Sequence, residues 1–258
     1  MERISAVMLT KNSEKYLDEI LTHLLPLDEV LLYDNGSTDG TFAIAEKYPN
    51  VTLIKAEFEG FGQMRNKGAL LARNDWILRI DSDEVPTDEL MEYLKNLKPD
   101  PHSIYCFKFI NYFHGKELKW CSEHIKRERL YHRKMTKIQD KLVHEGLVCE
   151  GLNMIDTPYG FKHYSYESYG DFLSKLQMYT DLFAKHNVGK LQTSPWIAVK
   201  KGFYAFFRYY FFRLGFLDGY EGFAVCIYAF NSEFYRHLKL YEANMGLIKD
   251  QKNTAKEK

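Results

Sequence analysis

Between residues 4 and 80 the chain alternates short apolar runs with amphipathic segments, a rhythm that very few folds accommodate. Ile4 to Leu9, Val30 to Tyr33, Val51 to Ile54 and Trp76 to Ile80 read as strands. Between them, Tyr16 to Leu25, Phe42 to Tyr48 and Met64 to Ala72 have helical character, the first with Leu17, Ile20, Leu21 and Leu24 on one face. Strands and helices alternating at this spacing predict an α/β fold built on a doubly wound, mainly parallel sheet. In such a sheet ligands bind outside the carboxyl ends of the strands. Three polar clusters fall at those ends: Thr10-Lys11-Asn12, Asp34 to Gly40, and Asp81 to Glu84. They are expected to meet in one crevice.

Asp81-Ser82-Asp83-Glu84 follows the apolar run Trp76-Ile77-Leu78-Arg79-Ile80. Two aspartates one residue apart at a strand end can share a hard divalent cation, Mg²⁺ or Mn²⁺, whose remaining positions suit phosphate oxygens. A substrate carrying a diphosphate is therefore expected. The plainer reading is a solvated acidic turn leading into a helix at Pro86-Thr87. Asp34 sits before a glycine turn, where its carboxylate can accept hydrogen bonds from a base or ribose, or can cap its own loop as an Asx-turn. For Asp39, before Gly40, the Asx-turn is preferred. Arg65 follows Gly60-Phe61-Gly62 and opens a helix, which puts a cation where a phosphate would rest. Its alternative is a surface ion pair with Glu57 or Glu59.

Tyr33 to Thr41, Gly62-Gln63-Met64-Arg65-Asn66 and Asp81-Ser82-Asp83 occur in the order and spacing of the family 2 glycosyltransferases of the GT-A fold, which the chain resembles over residues 1 to about 100. The resemblance implies a nucleotide-sugar donor contacted through Thr10 and Asp34 at the nucleoside, Arg65 near the diphosphate, Asp81 in the cofactor-binding set and Asp83 on the metal. Further along, Val143-His144-Glu145-Gly146, His163 and Gly215-Phe216-Leu217-Asp218-Gly219 resemble a lipopolysaccharide-core subgroup. That likeness implies Glu145 as general base and His163 as a further metal ligand. The commoner family pattern has a Glu-Asp pair near this point, so another carboxylate stays open as the base, as does a purely structural role for His144 and His163.

Net charge is zero, which excludes the basic excess of a nucleic-acid surface. Cys106, Cys121, Cys149 and Cys226 form no Cys-x-x-Cys pair and read as reduced thiols of a cytoplasmic protein. No signal peptide is read at the N-terminus. Ser103 to Tyr112 and Arg127 to Arg133 read as further strands, and Ser168 to His186 as a core helix with Phe172, Leu176, Tyr179 and Phe183 on its stripe. The expected organisation is a catalytic domain over 1–165, with a donor half 1–100 and an acceptor half 101–165, then a helical region 166–248 and a polar tail 249–258.

Trp196 to Arg213 is aromatic, carries Lys200, Lys201 and Arg208, and lacks any acid. It reads as a helix lying in a membrane interface, with an ordinary core helix as the alternative. The expected activity is inverting transfer from a UDP-hexose to a lipopolysaccharide-core or related glycolipid or oligosaccharide acceptor, at the cytoplasmic face of the inner membrane. Rival readings are a noncatalytic sugar-nucleotide or membrane-binding protein and a phosphatase using Asp81 and Asp83. The phosphatase reading suffers because its motif belongs on a first strand and here follows the fourth.

Overall fold

The computed structural model describes residues 2–122, 125–139, 146–166 and 168–256, with side chains described up to residue 247 except at Ser165. It divides into two compact units, one of Met1–Ile110 with His124–Tyr164 and one of Asn111–Glu123 with Ser165–Lys258.

The first unit opens with the expected alternation: β1 (Ile4–Thr10), α1 (Glu14–Leu24), β2 (Glu29–Asp34), α2 (Thr41–Ala45), β3 (Val51–Lys55), α3 (Phe61–Leu71) and β4 (Trp76–Asp81). The strands pair in parallel in the order β3-β2-β1-β4. Along β1, Ile4, Ala6 and Met8 face one side and pack against Leu17, Ile20, Leu21 and Leu24 of α1. Val7 faces the other side, toward Met64 and Ala69 of α3. A side-chain carbon at Gly68 would lie 2.8 Å from Val7 Cγ1, so this glycine lets α3 approach the sheet closely. Each buried Leu or Ile contributes roughly 1.5–3 kcal/mol. The pattern was legible because both faces of these parallel strands are covered.

Beyond β4 the sheet continues in antiparallel fashion. β5 (Glu84–Pro86) pairs with β9 (Asn153–Tyr166), and β8 (Lys126–His132) pairs with both β4 and β6 (Ser103–Phe113). α4 (Asp88–Asn96) lies between β5 and β6, its N-cap Thr87 accepting from the Leu90 amide. β9 contains Pro158 and Gly160, residues that usually interrupt strands. At Gly160 a side chain would overlap the carbonyl oxygen of Lys108, so the close approach of β6 requires glycine there.

The second unit holds β7 (Lys116–Glu117), paired with the end of β6, and three long helices: α5 (Tyr169–Asn187), α6 (Pro195–Phe207) and α7 (Gly219–Lys256). Ser168 and Asp171 form a capping box for α5, while Ser194 caps α6 with Pro195 in its first turn. A π-helical turn (Arg208–Phe212) and a 3-10 turn (Gly215–Asp218) join α6 to α7. In α5 the buried stripe is Phe172, Leu176, Thr180 and Ala184. Tyr179, expected on that stripe, is 49% exposed. The reason is that Thr180 satisfies its hydroxyl on the Leu176 carbonyl at 2.7 Å and so can occupy the buried side.

Candidate functional site

Register brings the polar clusters to one rim. β1 pairs Thr10 with Asp34 of β2 and Leu9 with Asp81 of β4. The Thr10 hydroxyl donates to Asp34 Oδ2 at 2.8 Å, and the amides of Gly36 and Ser37 donate to Asp34 Oδ1 at 2.9 and 2.8 Å. Ser37 Oγ donates to Oδ2 as well. Gly36 has φ of +99°, which lets the loop fold back over the carboxylate. Burial acts to raise the carboxyl's pKa, but the hydrogen bonds from Ser37, Thr10 and Gly36 together hold it below the usual range. Asp34 is thus the Asx-turn residue as well as the strand-end acid. Its neighbour Asn35 has a buried Oδ1 with no hydrogen-bond partner. Asn35, the other candidate for the Asx-turn in the sequence, thus caps nothing through this oxygen, which stands at the strand-end rim.

Asp81 ends β4 between two guanidinium groups. Arg65 Nη2 lies 2.7 Å from its Oδ1 and Arg129 Nη2 3.2 Å from its Oδ2. Arg65 therefore reaches the strand end, and Glu59 pairs instead with Lys67. Arg129 also contacts Glu84, Nη2 to Oε1 at 2.5 Å and Nε to Oε2 at 3.1 Å, while the Asp81 amide donates to Glu84 Oε2. Burial would raise the Asp81 carboxyl, yet the positive charges of Arg129, Arg65 and Arg79 pull it well below the carboxylate range. For Glu84 burial dominates, and with the adjacent Asp81 charge it pushes the pKa upward. Arg79, 6% exposed, has Nε and Nη1 without partners. Burial first, then Arg129 and Arg65, bring its pKa down to about 10. Neither Arg79 nor Arg129 was foreseen as part of the site.

Asp83 and His163 meet through strand pairing. β5 sets Glu84 opposite His163, and the Tyr164 amide donates to the Asp83 carbonyl at 2.9 Å. His163 Nε2 lies 3.6 Å from Asp83 Oδ2. One ligand atom from each of Asp83, Glu84 and His163 falls within 4.8 Å of the others. Two carboxylate oxygens and an imidazole nitrogen form a donor set suited to a divalent cation, although Arg129 already holds both oxygens of Glu84.

Glu145 and His144 lie outside the described residues. The flanks of their segment are fixed: Ile138 bridges Leu147, and the Asn66 side chain accepts from the Ile138 amide and donates to its carbonyl at 2.9 and 2.8 Å. Asn66 follows Arg65 on α3.

The sequence model described as Glycosyl transferase family 2 matches residues 5–154. A protein of Rickettsia felis called an uncharacterized glycosyltransferase is 29% identical over 264 residues, covering 94% of this chain and 91% of its own. The cholesterol galactosyltransferase of Borreliella burgdorferi is 30% identical over 120 residues, covering 43% of this chain and 34% of its own. A crystal structure of S. aureus TarS in complex with UDP gives a TM-score of 0.49 at 18% identity, covering 95% of this chain and 91% of that one.

Proposed function

This chain belongs to glycosyl transferase family 2, and we propose that it moves a hexose from a UDP-hexose to a glycolipid acceptor in an inverting displacement that depends on Mg²⁺ or Mn²⁺. The observation that carries the reading is the convergence of Asp83, Glu84 and His163 at a strand end beside the Arg65–Asp81 pair. An imidazole in the set favours Mn²⁺ over Mg²⁺. Bound there, such an ion would neutralise diphosphate charge as UDP departs.

The chain's own groups have separable tasks in this reading. Thr10 and Asp34 shape the nucleoside end of the crevice, with the Asn35 amide facing the base. Arg65 shares its guanidinium between Asp81 and the diphosphate, a planar fork that can serve both anions. Asp81, each of whose oxygens is held by a guanidinium, orients Arg65 and has neither oxygen free to attack as a phosphatase nucleophile. Glu145 takes the proton of the acceptor hydroxyl as that oxygen attacks from the face opposite the leaving nucleotide. The Borreliella relative is named for a sterol acceptor, which supports a lipid-linked one here. A lipopolysaccharide-core acceptor at the cytoplasmic face of the inner membrane is the specific form of this proposal.

One paired experiment tests it, measuring Mn²⁺-dependent UDP binding by calorimetry and sugar transfer from UDP-hexoses. Asp83→Ala should lose the metal dependence of UDP binding while urea unfolding stays near that of the parent chain. Glu145→Gln should bind UDP normally and turn over roughly 10²- to 10⁴-fold more slowly. Unchanged Mn²⁺-dependent binding in Asp83→Ala would sink the metal assignment, and full turnover in Glu145→Gln would move the base elsewhere.

A further inference from the structure

From the outward aromatic face of α6 and the turns that follow it, we infer that the second unit docks on a bilayer carrying anionic lipid, its helix axis in the plane of the interface. The packing of α6 is inverted relative to a core helix. Its buried residues are the small ones, Ala198, Gly202 and Ala205. A Cβ at Gly202 would meet the Phe230 ring of α7 at 3.0 Å, so α6 lies tightly on α7 through this small-residue stripe. Several bulky side chains are left largely outside, although Phe203 also rests edge-on against the Phe230 ring at 5.2 Å between centroids and Phe206 packs inward. Trp196 is 77% exposed, Phe203 52%, Tyr204 62% and Phe207 49%. At about 100° per residue Trp196, Phe203, Phe207 and Lys200 fall within roughly 60° of one another, directly opposite the buried stripe.

The π-helical turn extends the same surface. Phe211 stacks on Phe207 with ring centroids 5.5 Å apart, and Phe212 is 81% exposed. Leu217 and Tyr220 are also exposed. Exposed apolar surface on this scale marks an interaction site.

Charge decides between occupants. Residues 182–217 contain no Asp or Glu and include Lys185, Lys190, Lys200, Lys201, Arg208 and Arg213. Lys200, Lys201 and Arg208 are exposed beside the aromatic face. A second copy would bring the same cations against these, whereas anionic headgroups complement them. Trp and Tyr favour the headgroup boundary, where one edge is apolar and the other wet. Among the described residues no helix is long and apolar enough to cross a membrane, which leaves a helix lying on it. A lipid-linked acceptor would give the surface a purpose, so that purpose rests on the proposed function, but the surface's existence does not.

Sedimentation with vesicles of phosphatidylcholine alone, or mixed with equal parts phosphatidylglycerol, tests the surface, with Mn²⁺-dependent UDP binding in solution as the control on the donor site. The full chain should bind the mixed vesicles, and less so at high salt. Replacing Lys200, Lys201 and Arg208 together by Gln should weaken that binding on the order of 100-fold, from roughly fivefold per charge. Replacing Trp196, Phe207 and Phe212 by Ser should abolish it even at low salt. Both variants should keep UDP binding. Absence of binding to mixed vesicles at low salt, or binding indifferent to both sets of substitutions, would overturn the inference. So would a dimer in solution that the Ser substitutions dissociate. Vesicle binding that persists while no glycolipid accepts sugar would uphold the surface and reject the acceptor.

Discussion

The Asp34 carboxylate accepts four hydrogen bonds, from the Thr10 and Ser37 hydroxyls and the Gly36 and Ser37 amides, and these hold its pKa below the ordinary value of 3.8. A carboxyl whose pKa is lower in the folded state stabilises the fold above the unfolded pKa, and that contribution is lost as pH falls through the folded value. The thermal midpoint should therefore drop as pH falls below the ordinary value of 3.8, and Asp34→Asn should flatten that drop. At neutral pH the variant should lose about 1 kcal/mol, because its amide nitrogen replaces the oxygen Oδ2 that accepts from the Thr10 and Ser37 hydroxyls, which must reorient to accept instead. Identical acid limbs for both chains would remove Asp34 from the pH response. The sequence pointed to Asp34, Arg65, Asp81 and Asp83, because strand ends and glycine turns are local signals, and to His163 only through the family resemblance. It could not point to Arg79 or Arg129. Arg79 looks like a cation stranded in an apolar run, and which of Arg127 and Arg129, on one face of β8, lies level with Asp81 depends on the register of β8 against β4 and β6.

At the scale of elements, legibility was uneven where the sheet turned antiparallel: β6 and β8 were expected, β5 and β9 were not. The first four strands are separated by helices of recognisable period, and Asp81 ends them where expected. β9 was unforeseen because Pro158 and Gly160 read as breakers, and only the nearness of the Lys108 carbonyl explains the glycine. The turn before α7 hides a comparable device. Asp218, 3% exposed, accepts from the amides of Lys119, Trp120 and Cys121 at 3.0, 2.9 and 2.8 Å. One carboxylate thereby satisfies three backbone donors of a loop without regular structure, and the residue pattern Gly215 to Gly219 owes its meaning to this clasp. Asp218→Ala leaves those donors unpaired, at a cost of about 1–3 kcal/mol for each that water cannot reach. The Cys121 amide is the buried one of the three, so urea unfolding should show a loss of about 1–3 kcal/mol, with Asp218→Asn losing less because it keeps one acceptor. Equal stability of the Ala variant would mean that the loop finds other partners.

For the whole molecule, a net charge of zero hides a segregation, since the acid-free stretch 182–217 lies wholly within the second unit. That unit is assembled from two distant stretches of chain. Phe113, Leu118 and Cys121 from the first stretch share a buried cluster with Phe172 and Cys226 from the second, and Phe113 stacks on Phe172 at 4.6 Å between ring centroids. The Asp218 clasp joins the same two stretches. A cut at residue 165 would separate them, leaving Phe113, Leu118 and Cys121 without the helices that cover them. We therefore expect a chain of residues 1–165 to bind a hydrophobic dye and to sediment as aggregates, because exposed apolar clusters of this kind associate in water. The full chain under the same conditions should do neither. If the shortened chain were monomeric, silent toward the dye and equal to the full chain in UDP affinity, the helices would be an appendage. The burial of Phe113, Leu118 and Cys121 against them argues instead that the helices complete the packing of this stretch.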